Sequence, residues 1–491
     1  MRPLDLRLPG DAALALLPEI LLVAGALVVL LVNAWRHRTA ADSRLAGWVA
    51  LASLVPSAAA LGYLWVGGAQ SVTPFMVGLD AFRFAALAII LVATAATIAL
   101  SLGYLEREGL IAPEYYSLVL FAASGMMFLA GAEDLIVLFL GLEVMSVSVY
   151  VLAGFNRGST FSAEAALKYF LIGAFASAFL LYGIALLWGA TGSTALNGIG
   201  QRLGQTSLST MGLLGLGLLI IGMGFKIASV PFHMWAPDAY DGAPTPVAGL
   251  MATGVKAAGV IALARIFFEA FPQSEATWQP IVASLAIASM VAGNLVALAQ
   301  PGLKRMLAYS SIAHAGYLLV ALWPGSSLGM GAVLVYLAAY VVTSLAAFGI
   351  LGVLGRDGER TVTLESIAGL ARQRPWLAFA LSVCMLSLLG MPGTFGFIGK
   401  WTILSAVAAE RHYLLAVVLV ITTLVSAGYY LPVVMAAYMR EPTSATAHDG
   451  AGLPRPAVLV VAAAVALVLF FGVLPSGALS TAMASAAALV K

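Results

Sequence analysis

The chain has 491 residues, of which 62% are hydrophobic and 9% carry a charge, and its formal net charge is +2. This composition excludes a soluble domain, which needs a charged surface, and the small net charge gives no indication of a nucleic-acid partner. The single cysteine, Cys384, excludes an internal disulfide bond and any site built from several cysteine ligands.

Apolar runs of about 20 residues recur along the whole chain, and each is long enough to cross the hydrocarbon core of a lipid bilayer. The sequence therefore predicts an all-α polytopic membrane protein with about fourteen transmembrane helices. The first run has mixed flanking charges and full spanning length, so we interpret it as a span and not as a cleaved signal. The predicted spans are residues 12–33, 46–67, 82–103, 115–131, 134–155, 161–189, 211–234, 244–270, 279–299, 303–323, 329–354, 375–405, 412–438 and 456–475.

The lysines and arginines between spans predict how the chain is oriented in the membrane. Thirteen of the twenty-four lie in loops that follow odd-numbered spans, seven lie on the other side, and four lie inside spans. Because positively charged loops tend to stay in the cytoplasm, the count predicts cytoplasmic odd-numbered loops and places both termini outside.

Ionisable residues inside the predicted spans are the first candidates for function. In hydrocarbon each costs about 2.5–3.5 kcal/mol on insertion scales. Lys256 follows Pro246 at a distance of about 15 Å along a helix, which brings it to the middle of the bilayer. Similar counts place Glu143 and Lys226 at the same level. The full set is Glu143, Lys168, Lys226, Lys256 and Lys400.

These residues have structural interpretations as well. A lysine can extend its ammonium group to the lipid headgroups, and an ion pair can simply join two helices. Lys168 follows Glu164 at i+4, and an ordinary pair on the helix surface explains it as well as function does. His314 is equally compatible with a hydrogen-bonded histidine of the core. For the set as a whole, however, charges at one depth on separate helices favour function.

Proton transfer is the chemistry that these residue types permit. Burial favours the neutral form of a lysine, whereas a nearby carboxylate favours the ammonium form. A change in the distance to the carboxylate, or in the hydration of the site, would therefore load or release a proton. Lysines at one depth can exchange that proton through water and histidine.

Two predicted spans contain helix-breaking residues next to a lysine. Pro231 lies between Lys226 and His233, and the run "SLLGMPGTFGFIGKWTIL" places four glycines and a proline before Lys400. Glycine and proline are common in membrane helices, but broken spans at corresponding positions of two halves are typical of inverted-repeat transporters. Spans four to eight and nine to thirteen would form two inverted five-helix repeats. The predicted segments are 1–114, 115–270, 279–440 and 456–491.

Four stretches carry a specific resemblance: "GLEVMSVSVYVLAGF", "GFKIASVPFHMWAPDAYDGAPTPVAGLMATGVKAAGVIALARIF", "LKRMLAYSSIAHAGYLLVAL" and "GMPGTFGFIGKWTIL". Together they resemble the antiporter-like membrane subunits of respiratory complex I, most strongly between about residues 115 and 405. Lys400 and the short tail after the last span differ from two sister subunits, M and L. The resemblance implies fourteen helices in two inverted repeats with broken seventh and twelfth helices.

The resemblance also implies roles for individual residues. Glu143 matches the glutamate of the fifth helix, which modulates the lysine of the seventh helix, Lys226. Lys168 matches the lysine of the sixth helix, and Lys256 links the two half-channels. Lys400 stands near the exit, and His233 assists transfer beside the seventh helix. Because acids between residues 280 and 440 lie only in loops or at span ends, we expect water, His314 or another subunit to modulate Lys400.

By the same resemblance, the chain would translocate protons as one subunit of an NADH:quinone oxidoreductase in the bacterial inner membrane, with both termini periplasmic. Its partners would be the lipid bilayer, the neighbouring antiporter-like subunit M and small membrane subunits. NADH, FMN, iron–sulfur clusters and quinone would be bound by partner subunits, with no cofactor or metal on this chain. The alternatives are a cation/proton antiporter of the Mrp type, a membrane hydrogenase subunit, a stand-alone transporter and a purely structural anchor.

Overall fold

The computed structural model describes residues 4–70, 76–110, 113–205, 208–355, 362–442 and 454–489. These residues form helices, turns and three isolated β-bridges, and none of them belongs to a β-strand. The predicted all-α membrane architecture is confirmed. Both chain ends and four of the charges in the orientation count, Arg2, Arg356, Arg360 and Lys491, lie outside the described residues.

Each of the fourteen predicted spans has a helix or a pair of helices at its position. In the described part of the chain, 11 helices are long and apolar enough to span a membrane. They are Leu17–Trp35, Ala40–Val66, Ala81–Arg107, Glu114–Gly131, Leu135–Ala153, Thr160–Thr191, Thr245–Ala270, Glu275–Leu298, Ser327–Leu354, Tyr413–Met439 and Arg455–Val473.

The helices of the remaining three spans are either more polar or shorter than these eleven. Helix Leu303–Leu322 is long enough but carries charges in its first turn. The helix of the seventh span, predicted over residues 211–234, ends at Lys226, and the short helix Ala236–Gly242 follows the break. The twelfth span is divided into Pro375–Leu389 and Phe395–Ala409. The short helices outside the spans are Pro9–Ala15, Leu196–Gln205, Leu370–Gln373 and Ser476–Ala486.

Helix starts are fixed by side chains that cap free backbone N–H groups. Asp134 accepts a hydrogen bond from the Ile136 N–H at 2.8 Å and begins the helix that carries Glu143. Ser209 accepts one from the Gly212 N–H at 3.2 Å and begins the helix that ends at Lys226. Capping therefore sets the depth at which both charged residues lie.

Small residues let the helices approach one another closely, as is usual where lipid supplies no hydrophobic drive for association. A Cβ atom added to Gly125 would lie 2.4 Å from the Met145 nitrogen, and one added to Gly293 would lie 2.6 Å from the Ala313 nitrogen. The helix that carries Glu143 and the helix that carries His314 are therefore each held against a neighbour at backbone contact.

The break in the seventh span begins directly after Lys226, as Pro231 predicted. Ala228 has a positive φ of 58°, and helical structure resumes at Ala236. The indole of Trp235 donates a hydrogen bond to the Phe225 carbonyl at 3.0 Å. The freed backbone is thus satisfied by protein, which membrane depth requires.

The twelfth span breaks at glycines in left-handed conformation. Gly390 has a φ of 87° and Gly393 a φ of 86°. The carbonyl of Leu389, at the end of the first half-helix, accepts a hydrogen bond from Lys400 Nζ at 3.0 Å. Both predicted breaks are therefore confirmed, and each leaves a lysine beside interrupted backbone.

Two arginines assigned to outer loops in the orientation count lie instead within helices. Arg83 and Arg265 are both fully buried, and each forms an ion pair at 2.6 Å, Arg83 with Glu19 and Arg265 with Asp80. Hydropathy could not reveal this burial. An arginine near a helix end gives the same local hydropathy whether its side chain faces water or pairs with a buried carboxylate. Those two arginines therefore do not contribute to the charge of the loops that the orientation count compares.

Replacing Gly390 with alanine tests the twelfth-span break. The left-handed backbone costs a non-glycine residue about 1–2 kcal/mol, and the new Cβ would lie 2.8 Å from Lys400 Cδ. We expect Gly390→Ala to lower the thermal unfolding midpoint of the detergent-purified protein. Gly217→Ala is the matched control, because its Cβ would meet no atom within 4 Å. Equal midpoints for the two variants would contradict the assignment.

Candidate functional site

Lys226 is buried at the end of its helix, with 3% of its surface exposed. Its Nζ donates a hydrogen bond to Ser146 Oγ at 2.7 Å. The rings of Tyr150, Tyr169 and Phe225 surround the ammonium group, with centroids 5.5–5.7 Å from Nζ. Aromatic faces stabilise a cation in the absence of a counter-ion, so the site holds charge without neutralising it.

Glu143 lies on the same helix as Ser146 and is half-buried. Its carboxylate accepts a hydrogen bond from the Ser177 hydroxyl. Among the described residues, no ion pair within 4.0 Å joins it to Lys226. Ser146 follows Glu143 by three residues on the same helix and is hydrogen-bonded to Lys226. The carboxylate is therefore near enough to influence Lys226 without being bound to it.

Lys168 lies apart from the buried lysines, with 45% of its side chain exposed. It pairs with Glu164 at 2.7 Å, as the i+4 spacing indicated, and with Asp238 at 3.0 Å in the short half of the seventh span. Asp238 also pairs with Arg305 at 2.9 Å. Lys168 therefore belongs to an ion-pair group near one membrane face.

His233 lies in the irregular segment between the two halves of the seventh span and is half-buried. Its Nδ1 atom is buried and has no hydrogen-bond partner among the described residues. The adjoining segment is anchored by the Val230 N–H, which donates to Ser289 Oγ at 2.9 Å. A buried imidazole nitrogen without a partner retains its capacity to donate or accept one hydrogen bond.

Lys256 is buried at 1% exposure and directly follows a π-helical turn, Met251–Val255. Its Nζ donates to both the carbonyl and the hydroxyl of Ser311. The ring of Tyr340 lies 5.7 Å from the ammonium nitrogen. Because Ser311 belongs to helix Leu303–Leu322, Lys256 forms the contact between the eighth and tenth spans.

His314 follows Ser311 on the same helix and is buried at 3% exposure. Its Nδ1 is 2.6 Å from the Tyr336 hydroxyl, and its Nε2 is 3.2 Å from the Tyr430 hydroxyl. The centroid of the Tyr340 ring lies 4.8 Å from that of the imidazole. Both ring nitrogens therefore have hydroxyl partners, and Tyr340 contacts both Lys256 and His314.

Lys400 is buried at 6% exposure in the second half of the twelfth span. Besides the Leu389 carbonyl, Nζ has Thr423 Oγ1 at 3.4 Å. It lies over the ring of Tyr317 at 4.6 Å from the centroid, and Tyr317 also packs edge-on against His314 at 5.5 Å. The environment of Lys400 consists of hydroxyls, a carbonyl and aromatic rings, as the lack of intramembrane acids led us to expect.

The structure thus places most of the candidate residues in one polar row. Lys256, His314 and Lys400 are connected through hydroxyl-bearing side chains, and Lys226 lies against the same helix as Lys256, where a Cβ on Gly259 would be 3.7 Å from Lys226 Cγ. Lys168 is the member that lies outside it. The sequence analysis missed the connecting side chains Ser146, Ser311, Tyr317, Tyr336, Tyr340 and Tyr430.

The three buried lysines share one electrostatic property. In the described part of the chain, none of them has a carboxylate within 4.0 Å. A buried ammonium without a counter-ion is unfavourable, because burial disfavours the charged form of a lysine. Hydroxyl and imidazole groups that both donate and accept hydrogen bonds can conduct the released proton.

The comparisons with known proteins place the chain in a family. Residues 132–426 match the sequence profile described as NADH:quinone oxidoreductase/Mrp antiporter, TM. The chain belongs to this family. Among its relatives is NADH-quinone oxidoreductase subunit N of Gemmatimonas aurantiaca, 45% identical, with alignment over 95% of this chain and 92% of the relative. Subunit N 2 of Roseiflexus castenholzii is 44% identical over 93% of this chain and 92% of its own length.

Two solved structures have the same fold. A chain of respiratory complex I from Thermus thermophilus with bound aureothin superposes with a TM-score of 0.81 at 36% identity, covering 95% of this chain and 100% of that one. A chain of the Mrp complex from Dietzia sp. DQ12-45-1b gives 0.84 at 21% identity, with coverage of 99% and 98%. The second likeness concerns the fold alone.

The hydrogen bond between Ser146 and Lys226 can be tested by its removal. Ser146→Ala leaves the buried Nζ without this partner, and an unsatisfied buried group costs about 1–3 kcal/mol, or more when charged. We expect a lower thermal unfolding midpoint in detergent. Ser148→Ala is the control, because that hydroxyl bonds only the Val144 carbonyl of its own helix at 2.8 Å. A midpoint unchanged by Ser146→Ala would contradict the contact.

Proposed function

We propose that the chain is the proton-translocating subunit N of a bacterial NADH-quinone oxidoreductase. Protons enter beside Lys168 and His233 and move along a row at mid-membrane depth that consists of Lys226, Lys256, His314 and Lys400. Glu143 is the carboxylate that modulates Lys226. Redox chemistry takes place in partner subunits, which bind NADH, FMN, iron–sulfur clusters and quinone. The chain supplies no redox centre to this reaction.

One observation carries the proposal: three lysines are buried without counter-ions among the described residues, and His314 with hydroxyl-bearing side chains lies between Lys256 and Lys400. A structural anchor needs paired or apolar residues at these positions, because unpaired buried charge destabilises a fold. A lysine-based path also favours H⁺ over Na⁺, since an ammonium group has only donors and cannot coordinate a cation. The relatives named subunit N support the assignment to complex I.

Transfer at Lys226 begins with its ammonium form, held by the aromatic rings and Ser146. Protonation or movement of the Glu143 carboxylate weakens its electrostatic attraction for the Lys226 ammonium group. The neutral amine of Lys226 then becomes favoured. The N–H bond of Lys226 then breaks, and the proton passes through water toward Lys256, whose amine accepts it. Glu143 thus sets the direction of the equilibrium without giving up a proton to the lysine.

His314 connects Lys256 with Lys400. A neutral imidazole accepts a proton at one ring nitrogen and releases one from the other. The Tyr336 and Tyr430 hydroxyls are each within hydrogen-bond distance of one nitrogen, so accepting and releasing sides are both provided. Lys400 then receives the proton and passes it through water between the halves of the twelfth span.

The entry side is formed by Lys168, Asp238 and Arg305, together with His233. By the positive-inside rule this face is cytoplasmic, which places both termini on the periplasmic side. The two predicted five-helix repeats, residues 115–270 and 279–440, then each contribute one broken helix to the row. Subunit M and small membrane subunits would pack against the apolar outer faces of the bundle.

Lys226→Ala tests the proposal. Without the ammonium group the row loses its first buried station, so proton pumping should fall several-fold while the complex remains assembled. The measurement is NADH-driven acidification of inverted membrane vesicles, with subunit content checked by native electrophoresis. The control is Arg44→Gln, which removes an exposed surface pair with Glu106.

Full pumping by an assembled Lys226→Ala complex would contradict the proposal and favour the structural anchor. The stand-alone transporter is separated by expressing this chain alone in vesicles. Solute movement without any partner subunit would support that transporter and would count against the complex I assignment.

A further inference from the structure

A second group of buried charges lies around Arg265, outside the row of lysines. Arg265 is 1% exposed in its side chain, and its guanidinium contacts three carboxylates. Nη2 donates to Asp80 Oδ2 at 2.6 Å, Nη1 donates to Glu269 Oε1 at 2.8 Å, and Nη1 lies 3.9 Å from Glu133 Oε1. We call Asp80, Glu133, Arg265 and Glu269 the Arg265 cluster.

The cluster lies at the membrane face opposite Lys168. Helix Thr245–Ala270 begins next to the segment that carries Asp238, in the Lys168 ion-pair group, and ends within the cluster. Glu133 occupies the turn between helices Glu114–Gly131 and Leu135–Ala153, and Asp80 caps helix Ala81–Arg107. Four helix ends on one face therefore contribute to it.

The charges within the cluster do not balance. Three carboxylates surround a single guanidinium, and the neighbouring Arg83 is already paired with Glu19 at 2.6 Å. Several carboxylates that share a poorly solvated site retain a proton, because all of them cannot ionise together. In the described region, Glu19 Oε2 and Arg83 Nε are buried without hydrogen-bond partners. One acceptor and one donor beside the cluster are therefore unused.

Gly78 marks the point at which the carboxylates converge. A Cβ atom there would lie 2.6 Å from Glu133 Oε1, 2.7 Å from Asp80 Oδ2 and 3.0 Å from Arg265 Nη1. The backbone of Gly78 is fixed as well, because its N–H donates to the Gly131 carbonyl at 2.8 Å. The absence of a side chain at this position lets both carboxylates approach the same guanidinium.

Glu133 is the member of the cluster that reaches water. Its side chain is 32% exposed, against 17% for both Asp80 and Glu269. Partial burial raises the pKa of Glu133 to about 7; the Glu269 and Asp80 carboxylates add to this, whereas Arg265 and Arg83 oppose it. Below that pH the carboxyl group is neutral, and above it the group is a carboxylate.

The other charged groups nearby have contacts of their own. Asp134 accepts hydrogen bonds from the Thr194 hydroxyl at 2.7 Å and from the helix start. Arg202, on the helix Leu196–Gln205 that packs against Ile266–Ala270, is exposed. Glu19 is held by Arg83. The excess negative charge is therefore confined to the Arg265 cluster.

We propose that the Arg265 cluster binds one proton, carried by Glu133, and exchanges it with water at the membrane face opposite Lys168. On release, the O–H bond of the Glu133 carboxyl group breaks and water accepts the proton; on uptake the reverse occurs. Arg265 is a positioning residue that keeps the carboxylates together.

The cluster is connected to the lysine row by two helices, and this link rests on the proposed function. Glu143 follows Glu133 at about 15 Å along one helix, and Lys256 precedes Arg265 by about 14 Å along another. Occupation of the Glu133 site changes the charge at the ends of the helices that carry both residues. Proton exchange at this face would therefore be coupled to the state of the row.

Infrared difference spectroscopy of the intact complex, reconstituted in liposomes and titrated across neutral pH, tests the proposal. The wild type should lose a carboxylic-acid carbonyl band as the pH rises through about 7, and Glu133→Gln should lack that change. Glu106→Gln, at an exposed surface pair, should keep it. Glu133→Asp should retain a band with a shifted midpoint, which separates loss of the acid from misfolding.

A wild-type titration that Glu133→Gln leaves unchanged would overturn the proposal and make the cluster a fixed link between helices. The spectroscopic result does not depend on pumping. If Lys226→Ala pumps fully while Glu133→Gln abolishes the band, the proposed function fails and the proton site stands. If the band persists in Glu133→Gln while Lys226→Ala stops pumping, only the proton site fails.

Discussion

Burying an ammonium group without a counter-ion is the constraint on which the rest of this structure depends. Lys226, Lys256 and Lys400 each satisfy it in the same way, with hydroxyl or carbonyl acceptors and an aromatic face. A carboxylate bound to any of them would fix its charge. Neutral acceptors instead leave each ammonium group without a bound counter-ion, as the proposed proton transfer requires.

The helix breaks follow from the same constraint. A break leaves carbonyls without their intrahelical partners, and the broken twelfth span offers one of these, the Leu389 carbonyl, to Lys400. In the seventh span, the helix ends at Lys226 and the indole of Trp235 takes up the freed carbonyl of Phe225. The protein thus places irregular backbone where it contacts other protein, as membrane depth demands.

The sequence predicted the fourteen helical positions, both breaks and the buried lysines, because long apolar runs, prolines and isolated charges are local signals. It could not predict Tyr336 or Tyr430 as partners of His314, since a tyrosine in an apolar run is indistinguishable from core packing until its neighbours are known. Arg265 was missed for a similar reason: two of its three carboxylate contacts, Asp80 and Glu133, come from distant segments. Lys168 forms the i+4 pair that the sequence offered as an alternative to function, but its bond to Asp238 could not be predicted, because it depends on how the seventh span folds back.

The proton-to-electron ratio of a complex that carries Lys256→Met tests the central claim most directly, because this lysine joins the two halves of the row and methionine preserves its bulk. It is measured as protons moved per NADH oxidised in sealed proteoliposomes, with assembly verified beforehand. The account predicts a lower ratio than in the wild type. An unchanged ratio in a fully assembled complex would contradict it, because protons would then cross without the buried lysine that links the eighth span to the tenth.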